Sequence, residues 1–110
     1  MTEERDIRIH DEPEEGAYVI DVNGIRAGRA EYRMRDGRHV FTHTEIDDAS
    51  SGEGLASKLV KFALDDVRDK GGEIVPICPF FAAYIQRHEE YEELVDHKLT
   101  MEIKKRQRRS

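Results

Sequence analysis

Hydrophobic residues follow two different periods along this chain, one before and one after residue 50. Before it, apolar and polar residues alternate, which is the pattern of strands with one buried face. The alternating apolar residues are Ile7 and Ile9, then Tyr18, Ile20 and Val22, then Ile25 and Ala27, and finally Ala30, Tyr32 and Met34. Asn23-Gly24 and Asp36-Gly37 favour tight hairpin turns between successive strands. The first half is therefore predicted to be an antiparallel meander, ending in a strand over about 39–46.

Two details of the meander decide which side chains share a face. The alternation changes phase near Gly28, which predicts a β-bulge at that point. In the last strand, the alternation places His39 and His43 on the same face.

Beyond residue 50 the apolar residues recur at spacings of three and four, as on one face of a helix. They are Leu55, Ala56, Leu59, Val60, Ala63, Leu64 and Val67. Gly71-Gly72 predicts the end of this helix, and a short strand follows over 74–77. Strand, helix and strand in this order predict a parallel crossover. Pro79 suits the first turn of a second helix, and another short helix is expected from Glu89 to about Lys98.

The predicted fold class is therefore α+β, with one mixed, mostly antiparallel sheet and helices packed on it. A length of 110 residues suits a single domain, which we expect to span 1–98. Residues 99–110 are expected to form a basic, disordered tail, because the run KKRQRR offers no apolar residue to bury.

Composition narrows the class of partner and the compartment. The formal net charge of -6 disfavours nucleic acid and favours a cationic partner such as an amine. No apolar stretch is long enough to span a bilayer, and the charged opening lacks the apolar core of a signal peptide, so a cytoplasmic protein without membrane association is expected. Cys78 is the single cysteine, which excludes an intramolecular disulfide.

The segment between the last strand of the meander and the long helix carries the most chemical information. It reads Ser51, Gly52, Glu53, Gly54, Leu55 and Ala56. Closely spaced glycines let backbone amides approach a ligand, and the helix start directs further amides at the same point, so an anion could bind there. The alternative is a glycine-containing helix start without a ligand. The segment lacks the Gly-Lys-Ser/Thr of a Walker loop and the third glycine of a dinucleotide fingerprint.

This segment resembles the Q/R-x-x-G-x-G/A signature of the GNAT N-acetyltransferases. Gly54 and Ala56 stand at its two small positions, whereas Ser51 stands where Gln or Arg is usual. The sequence is also similar to the short-form branch of that superfamily over HTEI at 43–46 and ICPF at 77–80. The resemblance implies a GNAT-like fold, acetyl-CoA as the cofactor, and transfer of its acetyl group to an amine by direct attack on the thioester. The acceptor would be a small amine or a protein lysine or N-terminus.

The same resemblance implies which residues bind the cofactor. The pyrophosphate of acetyl-CoA would lie against Ser51, Gly52, Glu53, Gly54, Leu55, Ala56 and Ser57. The pantetheine arm would bond to backbone near Glu45 and Ile46, in a gap between the fourth and fifth strands. Pro76 cannot donate to a strand ladder, so it fits such a gap, although it equally fits an edge position.

Three residues are candidates for catalysis. Cys78 precedes the helix start at Pro79, where amides and the helix dipole favour a thiolate, and by the resemblance it lies near the thioester. It would relay a proton to the CoA thiolate or accept the acetyl group, or it only packs in the core. Tyr84 is a rival acid or a core residue. His43 is a candidate base or a residue that orients the acceptor amine, or else a partly buried histidine bonded to backbone. No metal site is expected, because no zinc-ligand spacing occurs.

The sequence is also compatible with a second class of function. The region before the fourth strand is too short for the helices that usually cover the acceptor in a GNAT domain, so an open acceptor side is expected. That side would receive a macromolecular amine or be completed by a second subunit, and a monomer or weak homodimer is expected. The alternative is a non-catalytic module that keeps the fold and binds CoA or another protein.

Overall fold

The computed structural model describes residues 6–47 and 54–108. Its strands are β1 (Ile7–Glu12), β2 (Ala17–Val22), β3 (Ile25–Arg35), β4 (Arg38–Ile46) and β5 (Glu73–Pro76). Its helices are α1 (Leu55–Asp69), α2 (Pro79–Arg87), a 3₁₀ helix (Glu89–Leu94) and α3 (His97–Arg108).

The strands form a single mixed sheet in the order β1-β2-β3-β4-β5. The first four pair antiparallel in chain order, and β5 pairs parallel to β4 after the crossover through α1. This arrangement confirms the predicted α+β class with a mostly antiparallel sheet. No helix interrupts the chain between residues 6 and 47, as expected for an open acceptor side.

The two predicted hairpin turns are present. Asn23 and Gly24 both have positive φ angles, of 52° and 81°, and Asp36 and Gly37 repeat this geometry with 50° and 79°. Two successive positive φ angles characterise the type I′ turn, whose twist matches that of the flanking strands. The turn residues therefore fix the register of both hairpins.

The predicted bulge near Gly28 is also present. Ile20 pairs with Gly28 and Asp21 with Arg26, so Ala27 is the extra residue on β3. A Cβ at Gly28 would lie 2.5 Å from Ile46 Cδ1 and 2.6 Å from the Glu45 carbonyl oxygen, so only glycine fits there. This close approach holds β3 tightly against the end of β4.

A second bulge, which the sequence analysis did not predict, lies in β4. Glu31 pairs with His43 and Tyr32 with Phe41, which leaves Thr42 as the extra residue. The extra residue shifts the alternation by one position. His39 lies against core rings, but His43 lies on the opposite face, so the expectation that the two histidines share a face is wrong.

Helix α1 packs on one face of the sheet through the apolar positions that predicted it. The buried residues are Leu55, Leu59, Val60, Ala63, Leu64 and Val67. Two tyrosine hydroxyls donate to α1 carboxylates, Tyr18 to Asp66 and Tyr91 to Asp65, each at 2.6 Å. Gly71, with φ of 73°, ends the helix as predicted.

The C-terminal region differs from the expectation of a disordered tail beginning at residue 99. Residues 99–108 belong to α3, and Leu99 is buried with Val40 and Val75 on the face opposite α1. Ile103 packs against the same cluster. The basic run at 104–109 led to the expectation of a disordered tail, but the apolar residues that dock α3, Leu99 and Ile103, come before that run. The predicted helix from Glu89 to about Lys98 is instead a 3₁₀ helix and the first turn of α3.

In residues 6–47 and 54–108, none of the helices has the length and apolar character that a membrane crossing requires.

We expect Leu99→Ala to destabilise the protein by about 2–3 kcal/mol, because it removes a buried side chain that holds α3 on the sheet. Met101→Ala is the matched control, since Met101 lies on the same helix and is 66% exposed. Urea unfolding measures the free energy of unfolding of both variants. Equal free energies for Leu99→Ala and the parent would contradict docking of α3.

Truncation after Ile103 should leave the melting temperature unchanged, because Leu99 and Ile103, the two sheet-facing apolar residues of α3, both remain.

His39 is an ionisable group held within an aromatic cluster. Its ring lies 4.8 Å from that of Tyr32 and 5.9 Å from that of Phe41, centroid to centroid. Its Nδ1 is buried and accepts or donates no hydrogen bond within the described residues. Burial lowers the pKa of His39, and Asp11 opposes this shift only in part. The folded protein therefore favours the neutral imidazole.

As the pH falls, His39 should therefore be protonated at a higher pH in the unfolded chain than in the folded protein. Stability is expected to fall as the pH falls below the unfolded pKa of about 6.5. Urea midpoints at pH 7.5 and pH 5.5 measure the loss, and His39→Phe should reduce it. His97→Gln is the control at an exposed histidine. An unchanged loss in His39→Phe would assign the effect to other groups.

Candidate functional site

The first turn of α1 has the features of an anion-binding helix start. Gly54 precedes it with φ of 74°, and no side chain among residues 6–47 and 54–108 caps the helix there. The first turn contains no acidic residue. The amides of Leu55, Ala56 and Ser57 therefore begin a helix whose positive dipole end is not neutralised by a neighbouring carboxylate in the described residues. Ser51, Gly52 and Glu53, which were also predicted to contact the cofactor, lie outside the described residues.

Strand β4 continues beyond the point where its pairing with β5 ends. The parallel register runs from Arg38 opposite Glu73 to Phe41 opposite Pro76. One further bond follows, in which the Cys78 amide donates to the Phe41 carbonyl at 2.8 Å. From Thr42 to Ile46, β4 is paired with β3 alone among the described strands. Glu45 and Ile46 lie in this segment, next to a shallow cavity of about 580 Å³ lined by both.

Cys78 lies where β5 gives way to α2. It is 4% exposed, and it is the residue immediately before the helix, with Pro79 at the first helical position. Its Sγ lies 3.3 Å from the Thr44 hydroxyl on β4. Phe81, one turn into α2, stacks on Phe41 with ring centroids 4.1 Å apart and so anchors the helix against β4. The thiol is therefore held at the end of the β4–β5 ladder.

Tyr84 lies in the middle of α2 and packs against two other rings. Its ring stacks on His88 at 4.0 Å and lies 6.1 Å from the ring of Tyr91. The side chain is 5% exposed, and burial, opposed by Lys61, raises its pKa. The phenol is therefore protonated at neutral pH and is packed among the helices. This packing fits the core alternative, although a phenol that keeps its proton also retains the form needed by an acid.

His43 does not join Cys78, because the Thr42 bulge turns it to the opposite face of β4. There it is exposed, and its Nε2 lies 2.9 Å from Glu45 Oε1. Glu31, directly opposite on β3, completes a group whose possible ligand atoms all lie within 4.8 Å of one another. Sequence spacing did not predict this group, because one of its members comes from the neighbouring strand.

Glu31, His43 and Glu45 are a chemically possible set of ligands for a divalent cation. The expectation that the chain has no metal site was based on spacing along the sequence, which cannot predict a group whose members lie on two strands. A guanidinium also neutralises this group, because Arg29 Nε lies 3.8 Å from Glu31 Oε2. A cation bound there would have to displace Arg29 or share Glu31 with it.

The sheet, its crossover helix and the helix that begins beside Cys78 define a GNAT-like α+β protein. The family model for the GCN5-related N-acetyltransferases matches residues 17–94, from β2 to the end of the 3₁₀ helix. The chain belongs to this family, and it is an acetyltransferase by that membership.

Among solved structures, the chain is similar to a GCN5-like candidate N-acetyltransferase from Staphylococcus aureus, determined by NMR. The TM-score is 0.61 at 22% sequence identity, with 80% of this chain and 86% of the other covered. At that identity the likeness supports the fold alone. No curated protein matches the chain significantly in sequence.

Sequence reasoning did not identify Thr44 as a neighbour of Cys78. The two residues are 34 positions apart, and the strict alternation of β4 would have turned Thr44 to the other face. The sequence signal near this position is the motif HTEI, in which His43 and Glu45 were the residues predicted to function.

Proposed function

We propose that this protein is an acetyl-CoA-dependent N-acetyltransferase in which an amine attacks the thioester. The observation that carries the proposal is the position of Cys78, buried at the end of the β4–β5 ladder while β4 continues alone toward Ile46. Family membership supplies the class of reaction, and this geometry supports the proposal that it takes place beside Cys78.

Acetyl-CoA would be held mainly by backbone. The amides of Leu55, Ala56 and Ser57 would receive the pyrophosphate, because an uncapped helix start stabilises anionic oxygens. The pantetheine amides would bond to β4 near Glu45 and Ile46, where a further strand partner is lacking in the described residues. Ser51, Gly52 and Glu53 remain part of this proposal through their sequence positions.

The acceptor is proposed to be an amine, either small or presented by a protein. The region before β4 has no covering helix within residues 6–47, so a macromolecular amine could approach the sheet. The carboxylates of Glu31, which is half-buried, and Glu45, which is exposed, would attract its positive charge. His43, paired with Glu45, is the candidate that would take a proton from the amine before attack.

Cys78 is proposed to act on the sulfur side of the reaction. As a relay, its S–H proton would pass to the departing CoA thiolate, and solvent would then reprotonate Cys78. As a nucleophile, its thiolate would form a thioester with the acetyl group, releasing CoA, and the amine would then take the acetyl group from Cys78. Tyr84 is the alternative proton donor.

The rival function is a non-catalytic module that binds CoA or a partner protein. The near-complete burial of Cys78 and Tyr84, 4% and 5% exposed, is the observation that favours it. Acetyl transfer to amines, compared with a heat-inactivated sample, separates the two functions. Transfer above that control supports the enzyme, and CoA binding without transfer supports the module.

The first prediction from this proposal places CoA at the start of α1. Gly54→Glu should weaken CoA binding at least tenfold, about 1.4 kcal/mol, because it adds a negative charge beside the pyrophosphate. Gly71→Glu is the matched control: Gly71 has φ of 73° against 74° for Gly54, and both have open space around a Cβ. Calorimetry measures both affinities. Equal affinity in Gly54→Glu and the parent would move the site elsewhere.

The second prediction concerns the role of the thiol. Cys78→Ala should preserve CoA affinity and lower acetyl transfer by about a hundredfold or more, as expected for a lost acid or nucleophile. Partial activity in Cys78→Ser would indicate the relay, because a hydroxyl transfers a proton but is a weak nucleophile without a base. Parent activity in Cys78→Ala together with a large loss in Tyr84→Phe would instead make Tyr84 the acid.

A further inference from the structure

Thr44 makes a contact that the roles proposed above leave unused. Its Oγ1 lies 3.3 Å from Cys78 Sγ, within hydrogen-bonding distance for sulfur. In the described residues this is the side-chain hydrogen bond of Cys78. Its two backbone bonds use other atoms: its amide donates to the Phe41 carbonyl, and its carbonyl accepts from the Ala82 amide. The contact crosses from β4 to the start of α2 at the point where the strand ladder has ended.

The local fold sets this contact by backbone geometry. Thr42 is the bulge residue of β4, and it turns Thr44 toward the core face, where its cross-strand partner Ala30 is buried. The same bulge turns His43 away to the exposed face. The Thr44 hydroxyl therefore lies against the thiol, whereas the imidazole of the preceding residue, His43, does not.

Four ionisable side chains on β4, on α2 and just after α2 make contacts with one another rather than with the thiol. On β4, His43 and Glu45 pair with each other on the opposite face. On α2, Tyr84 stacks on His88. In the described residues no imidazole is hydrogen-bonded to the thiol, and the polar group that it contacts, the Thr44 hydroxyl, is neutral.

We infer that Thr44 is a positioning residue whose hydroxyl donates a hydrogen bond to the ionised sulfur of Cys78. The inference rests on the proposed function, because both proposed roles of Cys78 include a thiolate. As a relay, Cys78 is a thiolate after it gives up its proton; as a nucleophile, it is a thiolate before it attacks. A thiolate can only accept a hydrogen bond, so the hydroxyl must be the donor in that state. Thr44 then fixes the direction of the sulfur and stabilises its charge without exchanging a proton.

The test compares three variants. Thr44→Val removes the hydroxyl at nearly constant volume, and Thr44→Ser keeps a hydroxyl on a smaller side chain. Thr42→Val is the matched control, because Thr42 lies on the same strand, is exposed, and donates to the Glu31 carbonyl rather than to the thiol. Thr44→Ala replaces Thr44→Val if the latter does not fold, as judged by circular dichroism.

The first readout is alkylation by iodoacetamide, measured as a function of pH. Cys78 is the single cysteine, so labelling reports on it alone. Thr44→Val should alkylate about tenfold more slowly near neutral pH, with its profile moved to higher pH, because the thiolate has lost a charge-assisted hydrogen bond. Thr44→Ser should recover most of the rate, and Thr42→Val should match the parent. Equal profiles for Thr44→Val and the parent would overturn the inference.

The second readout is acetyl transfer from acetyl-CoA to an amine. Thr44→Val should lower kcat by about tenfold while CoA affinity stays within twofold, because the hydroxyl acts on the sulfur and not on the phosphates. If Thr44→Val alkylates more slowly than the parent but the parent itself transfers no acetyl groups, the contact is supported and the proposed function is overturned. Normal transfer and normal alkylation in Thr44→Val would overturn the inference and leave the proposed function standing.

Discussion

The early end of the parallel ladder between β4 and β5 is the constraint on which the candidate site depends. Pro76, opposite Phe41, is the last paired residue of β5, and its lack of an N–H limits further pairing. The chain then turns into α2, with Pro79 at the first helical position. Because β5 stops, β4 retains backbone that no described strand pairs with on that side. A substrate that bonds to backbone requires such a segment.

Side-chain chemistry at this position is decided by one extra residue. The Thr42 bulge separates Thr44, which contacts Cys78, from His43, which pairs with Glu45 on the exposed face. Without the bulge, the strand alternation would exchange the two faces. The bulge therefore places the Cys78 contact on one face of β4 and the pair His43 and Glu45 on the other.

The frame that holds this site is polar as well as apolar. Tyr18 and Tyr91 donate to neighbouring carboxylates of α1, Asp66 and Asp65, so the helix is tied both to the sheet and to the 3₁₀ helix. Burial and the Asp66 bond raise the pKa of Tyr18. Burial alone would raise the pKa of Asp65, but the hydrogen bonds of Lys61 and Tyr91 hold it below its usual value. These bonds fix the position of α1, and with it the helix start proposed to receive the pyrophosphate.

Much of the fold follows from the sequence because its signals are local. Asn23-Gly24, Asp36-Gly37 and the spacing of apolar residues in α1 act through turn geometry and helix periodicity, and they predicted the meander, the crossover and the ends of α1. The family resemblance also depends on a local run of residues. Three features required the tertiary structure: the bulge at Thr42, the docking of Leu99, and the contact between Thr44 and Cys78. Each depends on which distant segment lies opposite, and a pattern within one segment cannot specify its cross-strand or cross-sheet neighbour.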